Sequence, residues 1–115
     1  MFTDSSLTAA AVSLGETNPG YGHNEMVMSN VDFAVANFYC GGRGTAEGPN
    51  CCNNRLEIRD CTPDPLKTFG VYLSNSAGGS NSVLMADGSY AMGSVVLGQK
   101  GCGWNEFVAT NCTIG

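Results

Sequence analysis

Six cysteines in a chain of 115 residues, Cys40, Cys51, Cys52, Cys61, Cys102 and Cys112, set the tightest limit on what this sequence can fold into. An even count at this density fits a disulfide framework made in an oxidising compartment, where three cross-links would supplement a small core. Spacing does not fix the connectivity, but a bond between the neighbours Cys51 and Cys52 would be strained. Cys102 and Cys112, with nine residues between them, form the most local pair, which leaves Cys40, Cys51, Cys52 and Cys61 to make the other two bridges. Each such closure is worth about 3 kcal/mol in the chain-entropy picture, less any strain. Structural zinc is the competing use of thiols. It favours Cys-x2-Cys pairs, of which there are none, and the only histidine, His23, is remote from the cysteines.

A secreted or cell-surface chain should show a matching surface, and the composition agrees. Charged residues make up 13% of the sequence, while 16 Gly, 11 Asn, 10 Ser and 8 Thr supply neutral polarity. The 43% of hydrophobic residues is enough to bury a core, and the length suits one domain spanning 1–115. The net charge is −5, and the basic residues Arg43, Arg55, Arg59, Lys67 and Lys100 form no run, so nucleic acid is not an expected partner. No apolar stretch is long enough for a membrane span, and residues 1–15 lack the pattern of a signal peptide.

Along the chain, Thr3–Leu14 reads as a short helix, with Ser5 or Ser6 as its cap, Ala9, Ala10 and Ala11 as helix formers and Gly15 as its stop. Asn18 to Gly22 is turn chemistry. Val27–Tyr39 is the best long strand, because Val31, Phe33 and Val35 alternate with smaller or polar residues. Gly41–Asn54 reads as a loop. Arg55–Asp60 alternates as a half-buried strand with Leu56 and Ile58 inward; Phe69, Val71 and Leu73 mark another before a flexible-looking Ser74–Ser82. Val83–Ala86 and Tyr90–Leu97 flank Asp87-Gly88, a pair suited to a tight hairpin. A last strand over Glu106–Thr110, with Phe107 inward, would lie inside the Cys102–Cys112 loop. No repeat is evident. The expected fold is mainly β, about six short strands as a sandwich or barrel with one short N-terminal helix, stapled by disulfides; a small α+β sheet is the alternative.

Candidate chemistry is sparse. His23-Asn24-Glu25 places an imidazole near a carboxylate, and Arg55, Glu57 and Arg59 share one strand face; brought together with His23 they could cleave a phosphodiester. Trp104-Asn105-Glu106-Phe107-Val108 resembles the C-terminal end of the small acidic fungal guanyl-specific ribonucleases over five residues, although the second histidine of those enzymes has no counterpart. The terminal Cys102–Cys112 loop resembles the disulfide loop of type IV pilin heads, without the apolar N-terminal helix. Scattered carboxylates, Asp4, Glu16, Asp32, Asp60, Asp64 and Asp87, form no calcium loop, and Gly41-Gly42-Arg43-Gly44 does not open a helix as phosphate loops do. Tyr21, Tyr39, Tyr72, Tyr90 and Trp104 can stack on sugar rings if exposed, with Trp104, Arg43 and Tyr21 as the contact candidates. Asn111-Cys112-Thr113 fits the glycosylation pattern at Asn111.

These features favour an extracellular structural or interaction protein, such as a filament or coat subunit or an adhesive module, with no catalytic residues, cofactor or metal. Its partner would be itself, a glycan or another extracellular protein. The alternatives are a small secreted hydrolase using His23 with Glu57 and Arg59, and an inhibitor or toxin presenting the 41–50 loop.

Overall fold

In the computed structural model the described residues are 1–14, 23–41, 53–73, 80–97 and 104–115. They form eight strands: β1 (Phe2–Leu14), β2 (Asn24–Cys40), β3 (Asn54–Arg59), β4 (Thr62–Pro63), β5 (Phe69–Leu73), β6 (Ser80–Tyr90), β7 (Met92–Leu97) and β8 (Trp104–Ile114). The protein is mainly β, as its alternation implies, but every strand pair is parallel. Parallel neighbours need a crossover between them, and here each crossover is one full circuit of the chain. The result is a parallel β-solenoid in which each coil stacks on the one before.

The repeat is written in asparagine. Asn24, Asn54, Asn81 and Asn105 stand in register on successive coils, 30, 27 and 24 residues apart. From each, every second residue points inward, building columns such as Met26–Leu56–Val83–Phe107 and Met28–Ile58–Met85–Ala109. Six residues beyond each of these asparagines the chain turns a corner at Asn30, Asp60, Asp87 or Asn111, and β1 turns at Asp4. All five corner residues have positive φ, between 49° and 53°. Asn and Asp tolerate this left-handed geometry better than other non-glycine residues, so one residue per coil suffices to swing the strand onto the second face. Val31, Phe33 and Val35 point inward there, and past a break in the alternation at 36–37 the columns continue as Val12–Phe38–Val71–Val95 and Leu14–Cys40–Leu73–Leu97. Phe33, Phe38 and Phe69 pack edge to face at centroid distances of 5.1–5.9 Å, the arrangement their ring quadrupoles prefer.

Two amides inside this core need partners. Asn54 and Asn81 are each only 2% exposed. They find those partners in each other: Asn24 Nδ2 donates to Asn54 Oδ1 at 2.9 Å, Asn54 to Asn81 at 2.8 Å and Asn81 to Asn105 at 3.0 Å. Such a ladder offsets the cost of taking an amide from water. Gly41, at φ 94°, lies against it, and a Cβ there would stand 2.5 Å from the Asn81 amide nitrogen.

Five expectations are corrected. Residues Thr3–Leu14 are strand, not helix: β1 pairs along almost its whole length with β2, and this ladder outweighs a helix preference of at most a few tenths of a kcal/mol per alanine. Asp87-Gly88 is a corner inside β6 and not a hairpin, because only Asp87 has positive φ where a type I′ turn needs two such residues. A repeat does exist, obscured by its unequal period. The architecture is therefore neither sandwich nor barrel nor α+β. The strands over Val27–Tyr39, Arg55–Asp60, Phe69–Leu73 and Glu106–Thr110 fall where alternation puts them, with Val31, Phe33, Val35, Leu56, Ile58, Phe69, Val71 and Leu73 buried.

The disulfide framework is the remaining correction. Cys40, Cys61 and Cys112 are free thiols, while Cys51, Cys52 and Cys102 lie outside the described residues. Cys40 is fully buried in an apolar column between Leu14 and Leu73. Cys61 follows Arg59 by two residues as Gly88 follows Ala86, so its register partner is Gly88, which pairs in turn with Cys112. One coil thus stands between the Cys61 and Cys112 thiols, about 9–10 Å at ordinary strand spacing and beyond the reach of a disulfide. Among the described residues no helix is long and apolar enough to cross a membrane.

Candidate functional site

Two surfaces concentrate what this solenoid can do: a charged stripe on one outer face, and the edges where the coil stack ends.

The stripe arises because outward positions of successive coils stack just as inward ones do. Glu25 on β2 pairs with Arg55 on β3, and Glu57 and Arg59 follow at alternate positions. Arg55 Nη1 lies 3.3 Å from Glu25 Oε2, and Arg55 also donates to Glu57. Arg59 Nε donates to Glu57 Oε1 at 3.0 Å and its Nη1 to Asp87 Oδ2 at 2.8 Å. Asn111 completes the row, donating to Asp87 Oδ1 at 2.8 Å. Partial burial works against the ionised form of Glu57, but the hydrogen bonds from Arg59 and Arg55 outweigh it and hold the carboxyl below its usual range. Hydrogen bonds from Asn111 and Arg59 likewise lower Asp87, and those to Glu57 and Asp87 raise Arg59.

His23 joins this stripe at its outer end, 3.9 Å from Glu25. The structure therefore brings His23, Arg55, Glu57 and Arg59 onto one face, as a phosphodiester-cleaving site would require. Each guanidinium is nevertheless held by carboxylates of its own chain, and chemically the row is a chain of mutually neutralised charges crossing three coils. Among the described residues no cluster of three or more His, Cys, Asp or Glu side chains could hold a metal.

The edges are apolar. Val95 and Leu97 continue columns whose preceding members, Val71 and Leu73, are fully buried, yet they are 39% and 51% exposed. Ile114 pairs with buried Tyr90 and is 40% exposed. At the other end of the Val95 and Leu97 columns stand Val12 and Leu14 of β1, which with Leu7 and Ala9 are partly buried against the core. Sequence reasoning singled out Trp104 on these edges but not Val95, Leu97 or Ile114, since column ends become visible only once the coils are stacked.

Of the contact candidates, Trp104 opens β8 on the edge, 72% exposed, whereas Arg43 and Tyr21 lie outside the described residues. Tyr90 is core: its hydroxyl donates to the Ala86 carbonyl at 2.8 Å and accepts from the Cys61 amide at 3.4 Å, and burial pushes its pKa up to about 12. Tyr39 and Tyr72 stack on adjacent coils at 5.1 Å. Asn111, the glycosylation candidate, is exposed at a corner with its amide nitrogen committed to Asp87. Comparison of the chain with protein-family models, curated proteins and solved structures yields no match.

Proposed function

We propose that the chain is a non-catalytic structural or interaction module that associates end on with a second copy of itself. The observation that carries this reading is the exposure of Val95, Leu97 and Ile114 at positions that point into the core. Stacked coils bury their apolar faces only against neighbouring coils, so an end to which the described residues add no polar cap favours association. The two ends are suited to each other because they terminate the same columns: Val12 and Leu14 at one, Val95 and Leu97 at the other. Parallel edges on β1 and β8 that no other described strand pairs offer backbone hydrogen bonds in the same direction. A contact of this kind is head to tail, and head-to-tail contacts that do not close into a ring propagate as filaments.

A place outside the cell belongs to the same proposal. It is supported by the low charge and the neutral polar surface, and no longer by cysteine pairing.

Sedimentation velocity over a hundredfold concentration range tests the assembly, together with electron microscopy of the concentrated sample. The expected result is mass that grows with concentration, and elongated particles. Leu97→Lys and Val95→Lys should return the protein to a monomer with an unchanged circular dichroism spectrum. A wild-type chain that stays monomeric at the highest concentration overturns the proposal.

A further inference from the structure

The second face carries a cleft that the stripe and the edges do not account for. The coil made of β3, β4 and β5 is longer than its neighbours between β4 and β5. Asp32 pairs with Thr62, 30 residues on, but Asn37 pairs with Gly70, 33 residues on. The three extra residues fall in the segment 64–68, which leaves the wall after β4 and returns at Phe69. Local bonds fold it: the Asp64 amide donates to the Phe33 carbonyl at 2.7 Å, the Leu66 amide to Asp64 Oδ1 at 2.9 Å and the Lys67 amide to the Asp64 carbonyl at 3.2 Å. The segment stands beside the outward side chains of β1 and β2, and between them lies a cleft of about 360 Å³. Its size falls within the range of small-ligand sites.

The lining has a consistent chemistry. Ser6, Thr8 and Thr62 present hydroxyls, Asp32 and Asp64 present carboxylates, that of Asp64 already accepting from the Leu66 amide, and Pro63 and Pro65 add apolar ring surface. Among the described residues no basic side chain lines the cleft. Hydroxyls can both donate and accept, and a carboxylate accepts two hydrogen bonds side by side, which suits vicinal hydroxyl groups. Flat aliphatic surface beside them suits the C–H face of a pyranose ring. The carboxylate disfavours an anion.

We infer that this cleft is a binding site for one unit of a neutral saccharide, with Asp32 accepting from adjacent sugar hydroxyls, Thr8 and Thr62 bonding to the ring substituents, and Pro63 and Pro65 packing against the ring. The residues involved point outward, whereas those that stack between coils point inward, so loss of binding and loss of assembly are separable outcomes.

Titration of the isotopically labelled chain with trisaccharides of glucose, mannose and galactose, followed by amide chemical shifts, tests the site, with trigalacturonic acid as the anionic control. At least one neutral sugar should produce saturable shifts centred on Ser6, Thr8, Asp32, Thr62 and Asp64, and trigalacturonic acid should produce none there. Asp32→Ala and Thr8→Val should each weaken that binding at least about tenfold, as expected for loss of a hydrogen bond to a bound polar group, while the rest of the spectrum stays unchanged. The inference is overturned if none of the three neutral sugars gives saturable shifts at these residues, if the acidic sugar binds there as tightly, or if the two variants bind as the parent does.

Discussion

Asn54 and Asn81 are 27 residues apart in sequence and a single hydrogen bond apart in space, the Nδ2 of the first donating to the Oδ1 of the second at 2.8 Å inside the core. Each also bonds outward along the same column, to Asn24 and to Asn105. Replacing Asn81 by Ala strands a donor on Asn54 and an acceptor on Asn105. The expected loss is about 2–4 kcal/mol, read from urea unfolding, since buried polar groups without partners cost about 1–3 kcal/mol each. Asn24→Ala, at the exposed end of the column, removes a donor only from the Asn54 Oδ1 and should cost less, about 1–2 kcal/mol. Equal losses at the two positions would show that the ladder does not hold the coils together.

Gly88 lies under the ring of Tyr90. A Cβ at Gly88 would stand 2.7 Å from both Cζ and the hydroxyl oxygen of that ring, and Tyr90 is itself 1% exposed. Gly88→Ala should therefore cost about 1–3 kcal/mol through overpacking, although the residue lies next to a corner where alanine is sterically permitted. Thermal melting checks this. An unchanged melting temperature would mean that Tyr90 can move aside.

The described thiols should differ in reactivity in an order set by burial. Cys40 is fully buried, and that burial pushes its pKa up to about 12; burial also raises Cys61. Because the thiolate is the reactive form, both should resist alkylation by iodoacetamide in the folded chain, and half-buried Cys112 should be modified before either. Peptide mapping after timed alkylation reads the order. Recovery of Cys40 or Cys61 in a disulfide from native material would contradict the packing described.

Stability should fall in acid through the charged stripe. Glu57 and Asp87 titrate below their ordinary values when folded, whereas in the unfolded chain they take up protons near pH 4. The unfolded state then binds more protons in that window, so the stripe's contribution is fully present above the unfolded values and is lost as pH falls through the folded ones. Melting temperatures measured between about pH 2 and 6 should drop toward acid, and Glu57→Gln should flatten part of that slope. A variant with the full wild-type slope would remove Glu57 from the explanation.

Much of the wall of this molecule was legible in its sequence, because strand alternation is local. Arg55 to Arg59 declares its inward Leu56 and Ile58 whatever the neighbouring strand, and Val31, Phe33 and Val35 do the same. What alternation cannot state is which strand lies alongside. The clue was present as an Asn followed six residues later by Asn or Asp, at Asn24 and Asn30, Asn54 and Asp60, Asn81 and Asp87, Asn105 and Asn111. Unequal spacing between these pairs hides them from a search at fixed period. Residues Thr3–Leu14 misled for a related reason: alanine and serine carry weak preferences, and the edge of β2 decided their state. The cysteines misled most, since Cys40 and Cys61 act as small apolar fillers of columns. As for function, the stripe could be read in advance from Glu57 and Arg59, whereas the cleft beside residues 64–68 could not, because its two walls belong to different coils.

The amide ladder has an arrow. Each asparagine gives its hydrogen to the next one along the chain, so the column ends in a carbonyl oxygen on Asn24 and an NH2 group on Asn105. The two tips of the molecule are thus chemically unlike, and a newcomer meets a different reception at each. Growth from such a seed would be faster at one tip than at the other, and reversing a single incoming subunit would set oxygen against oxygen.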